Sequence, residues 1–214
     1  MSKSVVTIFL IVVIFLISCE PGVTFIEPQP ESIKSSTSFS KQIQGSYLAF
    51  DFASVLTINE KQITRHFDFD YKTQKDSLGI NFKIVKDSIV NLVNGSKEKV
   101  LIQGDSIVQH ANWIDTLFNI SSENVLKNYK GYYFLNSKFS DEKWEVKELG
   151  LKNGVLTLAS ISTKEDIQKL NEIMESPNDT VSTNFNLTKR QFKRFLREEG
   201  FREKETFTRM KKVR

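Results

Sequence analysis

The sequence predicts an α+β fold, with a mostly antiparallel β-meander or barrel-like sheet followed by a mixed region holding two short C-terminal helices and a final strand. Three observations carry this expectation. Short segments of alternating polarity, punctuated by Asn, Asp, Gly and Ser, run from Gln44 to about Ile120 without helical periodicity. Two later stretches carry helix start signals. The composition, 39% hydrophobic and 26% charged with only 9 Gly and 4 Pro in 214 residues, excludes collagen-like, low-complexity and wholly disordered classes.

Residues 1–18 read as a signal peptide. Lys3 supplies the positive charge, and Val5 to Ile17 is an apolar run relieved only by Thr7. Thirteen residues of helix reach about 20 Å, short of the roughly 30 Å of hydrocarbon that a spanning helix must cross. Leu16-Ile17-Ser18-Cys19 then resembles the lipobox of bacterial lipoproteins. The resemblance implies a diacylglyceryl group on the Cys19 thiol, cleavage before that residue and acylation of the new amino group. Two or three acyl chains anchor stably, because each buried methylene adds about 0.8 kcal/mol. Glu20 follows the cysteine where an Asp in the resembled family is associated with inner-membrane retention, so the resemblance implies the outer rather than the inner membrane of the cell envelope. Cys19 is the only cysteine, so disulfides within the chain, thiol catalysis and cysteine-rich zinc sites are excluded once it carries lipid.

Residues 19–43, with Pro21, Pro28 and Pro30 among Ser, Thr and Glu, read as a lipid-anchored flexible tether. Residues 44–120 form the β-rich region, with candidate strands at 56–58, 65–71, 78–85, 88–93, 99–103, 106–111 and 116–120. Lys86-Asp87-Ser88 and Gly104-Asp105-Ser106 repeat a turn before an apolar strand, the mark of a hairpin period. Gly45-Ser46-Tyr47 ahead of an up-and-down run of strands resembles the opening of lipocalin-like barrels. That resemblance implies a closed sheet and a cavity for an apolar ligand, whereas 17 Phe favour a filled interior.

Residues 121–214 form the α+β region, able to share one core with 44–120. A short helix or turn is expected near 122–128, a buried strand at 132–135, and a hairpin of 143–151 with 155–161 across Asn153-Gly154. Thr163 caps a helix with Ile167, Leu170, Ile173 and Met174 on one face and Pro177 past its end. Thr188 and Gln191 make a capping box for a helix over 189–199, with Leu187 stapling onto Phe192. Gly200 is expected in the left-handed position after that helix, with Phe201 against Leu196, and 205–210 adds the final strand.

No catalytic constellation emerges. His66, Asp68 and Asp70 alternate with Phe67 and Phe69, a conceivable metal surface but also the ordinary pattern of a strand with one wet face, and no metal or cofactor is expected. Asp141, Glu142 and Glu145 beside Trp144 suggest glycoside chemistry no more than chance does. Nucleophile elbows and phosphate loops are missing from the sequence. Trp113, Trp144, Tyr132 and Tyr133 are read as core residues before binding residues.

The formal net charge is +4, and residues 189–214 concentrate eleven Lys or Arg against four Glu. Such a segment suits either a solvated face or anionic head groups. Export and the lack of a nucleic-acid module speak against nucleic acid. The sequence thus describes a membrane-anchored envelope lipoprotein, a non-enzymatic module of unknown specificity held by acylated Cys19, which binds an envelope protein or another envelope component. An envelope hydrolase using carboxylates and a lipocalin-like carrier of an apolar ligand are the alternatives.

Overall fold

The structure, a computed structural model, describes residues 22–51, 53–175 and 183–211. The leader, Cys19 and Pro177 lie outside them. Strands β1 (Thr24–Phe25) and β2 (Ser35–Ser36) precede a meander of β3 (Gly45–Ala49), β4 (Ser54–Ile58) and β5 (Gln62–Gln74). After a 3₁₀ turn (Lys75–Ser77), β6 (Phe82–Val85), β7 (Ser88–Asn91) and β8 (Lys97–Lys99) form a separate three-stranded sheet. The chain returns through β9 (Leu101–Gln103) and β10 (Ser106–Asn119), then continues in β11 (Asn124–Tyr129), β12 (Tyr132–Ser140), β13 (Lys143–Lys152) and β14 (Val155–Ser160). Helix α1 (Lys164–Ile173), β15 (Asn184–Phe185), helix α2 (Lys189–Arg197) and β16 (Glu203–Arg209) complete it.

The large sheet has the order β2-β11-β12-β13-β14-β16-β3-β4-β5-β10-β9, with β1 and β15 attached beside β13. Except for β1 with β15, every pairing is antiparallel. The last strand, β16, lies between β14 and β3, so strands from 44–120 and from 121–214 belong to one sheet. Arg209 secures that junction: its guanidinium lies over the Tyr47 ring, 5.2 Å from the centroid, and donates to the Tyr47 hydroxyl at 2.8 Å. The sheet ends at β2 and β9 and does not close into a barrel.

Both faces are buried where the strands overlap. One face packs Phe39, Tyr47, Leu56, Ile63, Phe118, Tyr133 and Phe207 into a single cluster, drawing residues from near both ends of the strand order, so the sheet curls around it. Phe39 sits between Phe118 and Tyr133, with ring centroids 6.3 and 5.6 Å away. The other face packs Phe134, Val146 and Ala159 against Leu170 of α1 and Phe192 and Phe195 of α2. Period-two alternation explains the division, since neighbours such as Phe134 and Leu135 point to opposite sides.

Residues 22–43 are not a flexible tether over their described part. Val23, Phe25, Phe39 and Ile43 are buried, β1 pairs with β13 and β15, and β2 pairs with β11. The Pro-rich stretch between is held by polar groups of the sheet: the Lys127 ammonium donates to the Pro28 and Pro30 carbonyls at 2.7 and 2.8 Å, and the Asn136 amide donates to the Gln29 carbonyl at 2.9 Å. Composition suggested a linker, but a few apolar side chains and two buried donors order it. The helix or turn expected near 122–128 is instead mostly strand β11, joined to β12 by the left-handed pair Lys130 and Gly131. After α2 the left-handed residue is Glu199 (φ 56°), not Gly200. Phe201 packs on Phe192 and Phe195, and Leu196 borders the same cluster.

Candidate ligand-binding face

β5 and β10, of 13 and 14 residues, are the longest strands, and they outrun their neighbours. β4 accompanies β5 only as far as Phe67, and β9 accompanies β10 only at Ser106, Ile107 and Val108. The two therefore continue as a ribbon that leaves the main sheet and carries the small β6-β7-β8 sheet at its far end, packed there on Ile89, Val100 and Ile107.

Alternation sets what this ribbon displays. Ile63 faces the core, so Arg65, Phe67, Phe69 and Tyr71 follow on the same face, opposite Asp115, Trp113, Ala111 and Gln109 of β10. Phe67 and Trp113 stack with centroids 4.5 Å apart and planes at 18°, and Phe69 meets Trp113 edge-on at 5.9 Å. Tyr71 extends the row, 6.3 Å from Phe69. Trp113 remains 43% exposed and Tyr71 40%, which makes the row a surface rather than a core. The indole N–H donates to Asp115 Oδ2 at 3.1 Å.

At its root the row meets a pocket of about 160 Å³. Ile63, Leu117, Phe118, Leu135 and Leu158 give it apolar walls, and Arg65, Glu205, Glu145, Lys147 and Ser137 surround it with polar groups. Arg65 ties pocket to ribbon: it pairs with Glu205, donates from Nε to Ser54 Oγ at 3.1 Å, and lies 5.2 Å from the Phe67 centroid and 5.3 Å from that of Phe207. Glu145 is 3.3 Å from Lys147. Each pocket carboxylate thus has a cation of its own, an arrangement of two ion pairs rather than a free acid and base. Nearby Glu203 is held below the usual carboxylate range by hydrogen bonds from Ser162 and Ser160.

On the ribbon's other face His66, Asp68 and Asp70 do alternate as the sequence implied. His110 joins them from β10, with Nδ1 2.9 Å from Asp70 Oδ1 and Nε2 3.4 Å from Asp68 Oδ1, while His66 turns to Asn112 at 3.2 Å. Among the described residues no group of three or more His, Cys, Asp or Glu is placed to hold a metal ion. Asp141 pairs with Lys138 at 2.8 Å at the β12–β13 turn, and Glu142 sits there with φ 56°, so neither lines the pocket that Glu145 enters.

The four aromatic candidates separate. Tyr133 is core and donates to Ser40 Oγ at 2.7 Å. Trp144 pairs in register with Phe25, and Tyr132 lies over Gly150. Only Trp113 joins the exposed row; its partner Phe67 lies 46 positions earlier, a proximity that no local pattern announces. The basic segment forms an exposed face of α2, where Arg194 pairs with Glu198 at 2.9 Å and Lys189 lies 5.7 Å from the Tyr129 centroid. Among the described residues no helix is long and apolar enough to cross a membrane. Comparison of the chain with protein-family models, curated proteins and solved structures finds no match.

Proposed function

We propose that this chain is a lipid-anchored protein of the bacterial cell envelope, of the outer rather than the inner membrane, whose folded body is a non-enzymatic binding module. The observation that carries the binding role is the continuous face formed by Tyr71, Phe69, Trp113 and Phe67 leading into the pocket beside Arg65. Exposed aromatic surface beside a small apolar pocket with polar groups at its mouth is what a recognition site needs, since aromatic rings supply contact area at little entropic cost and the polar groups orient the ligand. The anchoring role rests on Leu16-Ile17-Ser18-Cys19. At this pocket the acids are ion-paired and about 160 Å³ admits one side-chain-sized group, so it supports neither the hydrolase nor the carrier reading.

The test is the intact mass and detergent partitioning of membrane-extracted protein beside a Cys19→Ala variant. Wild type is expected to begin at Cys19 with added acyl mass and to enter the detergent phase, and the variant to lose both. Retention of the leader, or cleavage elsewhere without lipid, removes the anchoring role. Ligand binding weakened by about tenfold in Trp113→Ala, with unchanged unfolding, supports the recognition face.

A further inference from the structure

Along 109–119, β10 is bonded to β5 on one edge and meets no strand on the other, since β9 stops at the level of Val108. Among the described residues no other segment donates a backbone hydrogen bond to this edge or accepts one from it. The free stretch is about 35 Å long at roughly 3.3 Å per residue, a row of alternating N–H and C=O groups that an extended polypeptide matches in spacing and polarity. Of the devices that blunt such an edge, which are Lys, Pro, other charges and bulges, residues 109–119 have no Lys or Pro and carry only Asp115 and one bulge. That bulge is the register shift between Thr116 and Phe118, at the pocket.

The side chains along the edge specify what such a strand must carry. A strand beside β10 has alternate side chains on the Trp113 face, one of them against an indole whose other neighbour is Phe67. Further along the same face, Leu117 and Phe118 border the pocket of about 160 Å³, close to the roughly 150 Å³ that accommodates a benzene ring in an apolar cavity. Charge points the same way. Asp115 has the Trp113 indole as its hydrogen-bond partner and no ion pair among the described residues, since Arg65, opposite it in register, is paired with Glu205; on the other face Asp68 and Asp70 flank His110, with Lys72 beyond them.

We infer that the open edge of β10 takes up an extended segment of another protein as an added strand. That segment places large apolar side chains in the pocket and against Trp113, and Lys or Arg beside Asp115. The inference rests on the binding-module reading and names its ligand class, an apolar–basic peptide recognised through its backbone.

The test uses the full chain in nanodiscs and an octapeptide in which Phe and Lys alternate with Thr, alongside the same peptide N-methylated at its central amides. The plain peptide is expected to slow amide exchange along 109–119, and the methylated one to bind at least about tenfold more weakly. Trp113→Ala should weaken binding by about tenfold while leaving the unfolding midpoint in place. Equal binding of both peptides without amide protection, or no binding at all, overturns the inference. Protection that grows with protein concentration in the absence of peptide overturns it too, by giving the edge to a second copy. The intact mass of the same sample reads Cys19 acylation independently, so an acylated chain with an idle edge refutes strand addition alone, and a lipid-free chain that binds the peptide refutes anchoring alone.

Discussion

The ring of Phe195 occupies the space that a side chain on Gly200 would need: a Cβ there would lie 2.3 Å from ring carbon Cε2. The backbone explains why chain and ring come so close. Gly200 N–H returns to the Phe195 carbonyl at 3.0 Å and Glu199 N–H to that of Leu196 at 3.3 Å, the paired bonds that close a helix through a left-handed residue. Gly200→Ala is therefore expected to cost about 2–3 kcal/mol by overpacking. Glu199→Gly, at the left-handed position, should gain about 0.5–1 kcal/mol. Urea unfolding midpoints of the two variants measure both signs, and a tolerated Gly200→Ala would contradict the packing described.

Lys127 holds 28–30 against the sheet. Burial pushes its ammonium below the ordinary lysine value, yet the Pro28 and Pro30 carbonyls both accept from it. Lys127→Ala leaves those carbonyls without their donor and should cost about 2–3 kcal/mol. Limited proteolysis checks where the loss falls: cleavage is expected first within 26–36, well before cutting in β11 to β14. Uniform cleavage throughout the body would show that the clamp is not local.

Glu148 faces the helices, opposite Phe134 and Ala159 in the strand register, and its carboxyl is pushed up to about 7 by burial, with Lys204 pulling the other way. The folded protein thus keeps a proton there that an unfolded chain releases near 4.5. This contribution to stability is fully present below about pH 4.5 and is lost as pH rises through about 7. Glu148→Gln should match the wild type near pH 4.5 and exceed it by about 3 kcal/mol at pH 8. Denaturant unfolding at several pH values reads the difference, and a constant gap across the range would exclude Glu148 as the source.

Asp166 is fully buried in the first turn of α1, where its backbone N–H donates to Thr163 Oγ1 at 3.1 Å and its carboxylate faces Arg202, with Nε 3.6 Å from Oδ1. Removing the cation strands a buried charge. Arg202→Ala should cost about 3 kcal/mol, and adding Asp166→Asn should restore part of that loss. A double-mutant cycle showing no coupling would mean that the two residues do not act as a pair.

Local signals proved readable from the chain itself. Thr188 with Gln191, Thr163 with Asp166, and Asn153-Gly154 each hold their instruction within four residues, and each forms the element expected of it. The β11–β12 turn uses a similar left-handed pair, but Lys130 in its first seat gives no signal, so nothing local marks the strand before it as a strand. Long-range relations were illegible for a different reason. Phe67 and Trp113 stack, and His110 reaches Asp68 and Asp70, only because β5 and β10 pair over their whole length, and nothing in either strand names the other. Residues 22–43 misled through composition, which averages away the few apolar side chains that dock them.

Because that segment is docked, only Glu20, Pro21 and Gly22 separate Cys19 from buried Val23. Four Cα steps of 3.8 Å cover no more than about 15 Å. On the proposed acylation of Cys19, the body would be moored at the lipid surface on a short leash, within a thin layer above the bilayer. The reach that a long linker would have given falls to the β5–β10 ribbon, whose seven steps from Phe67 to Gln74 project about 23 Å beyond the last residue of β5 that β4 supports.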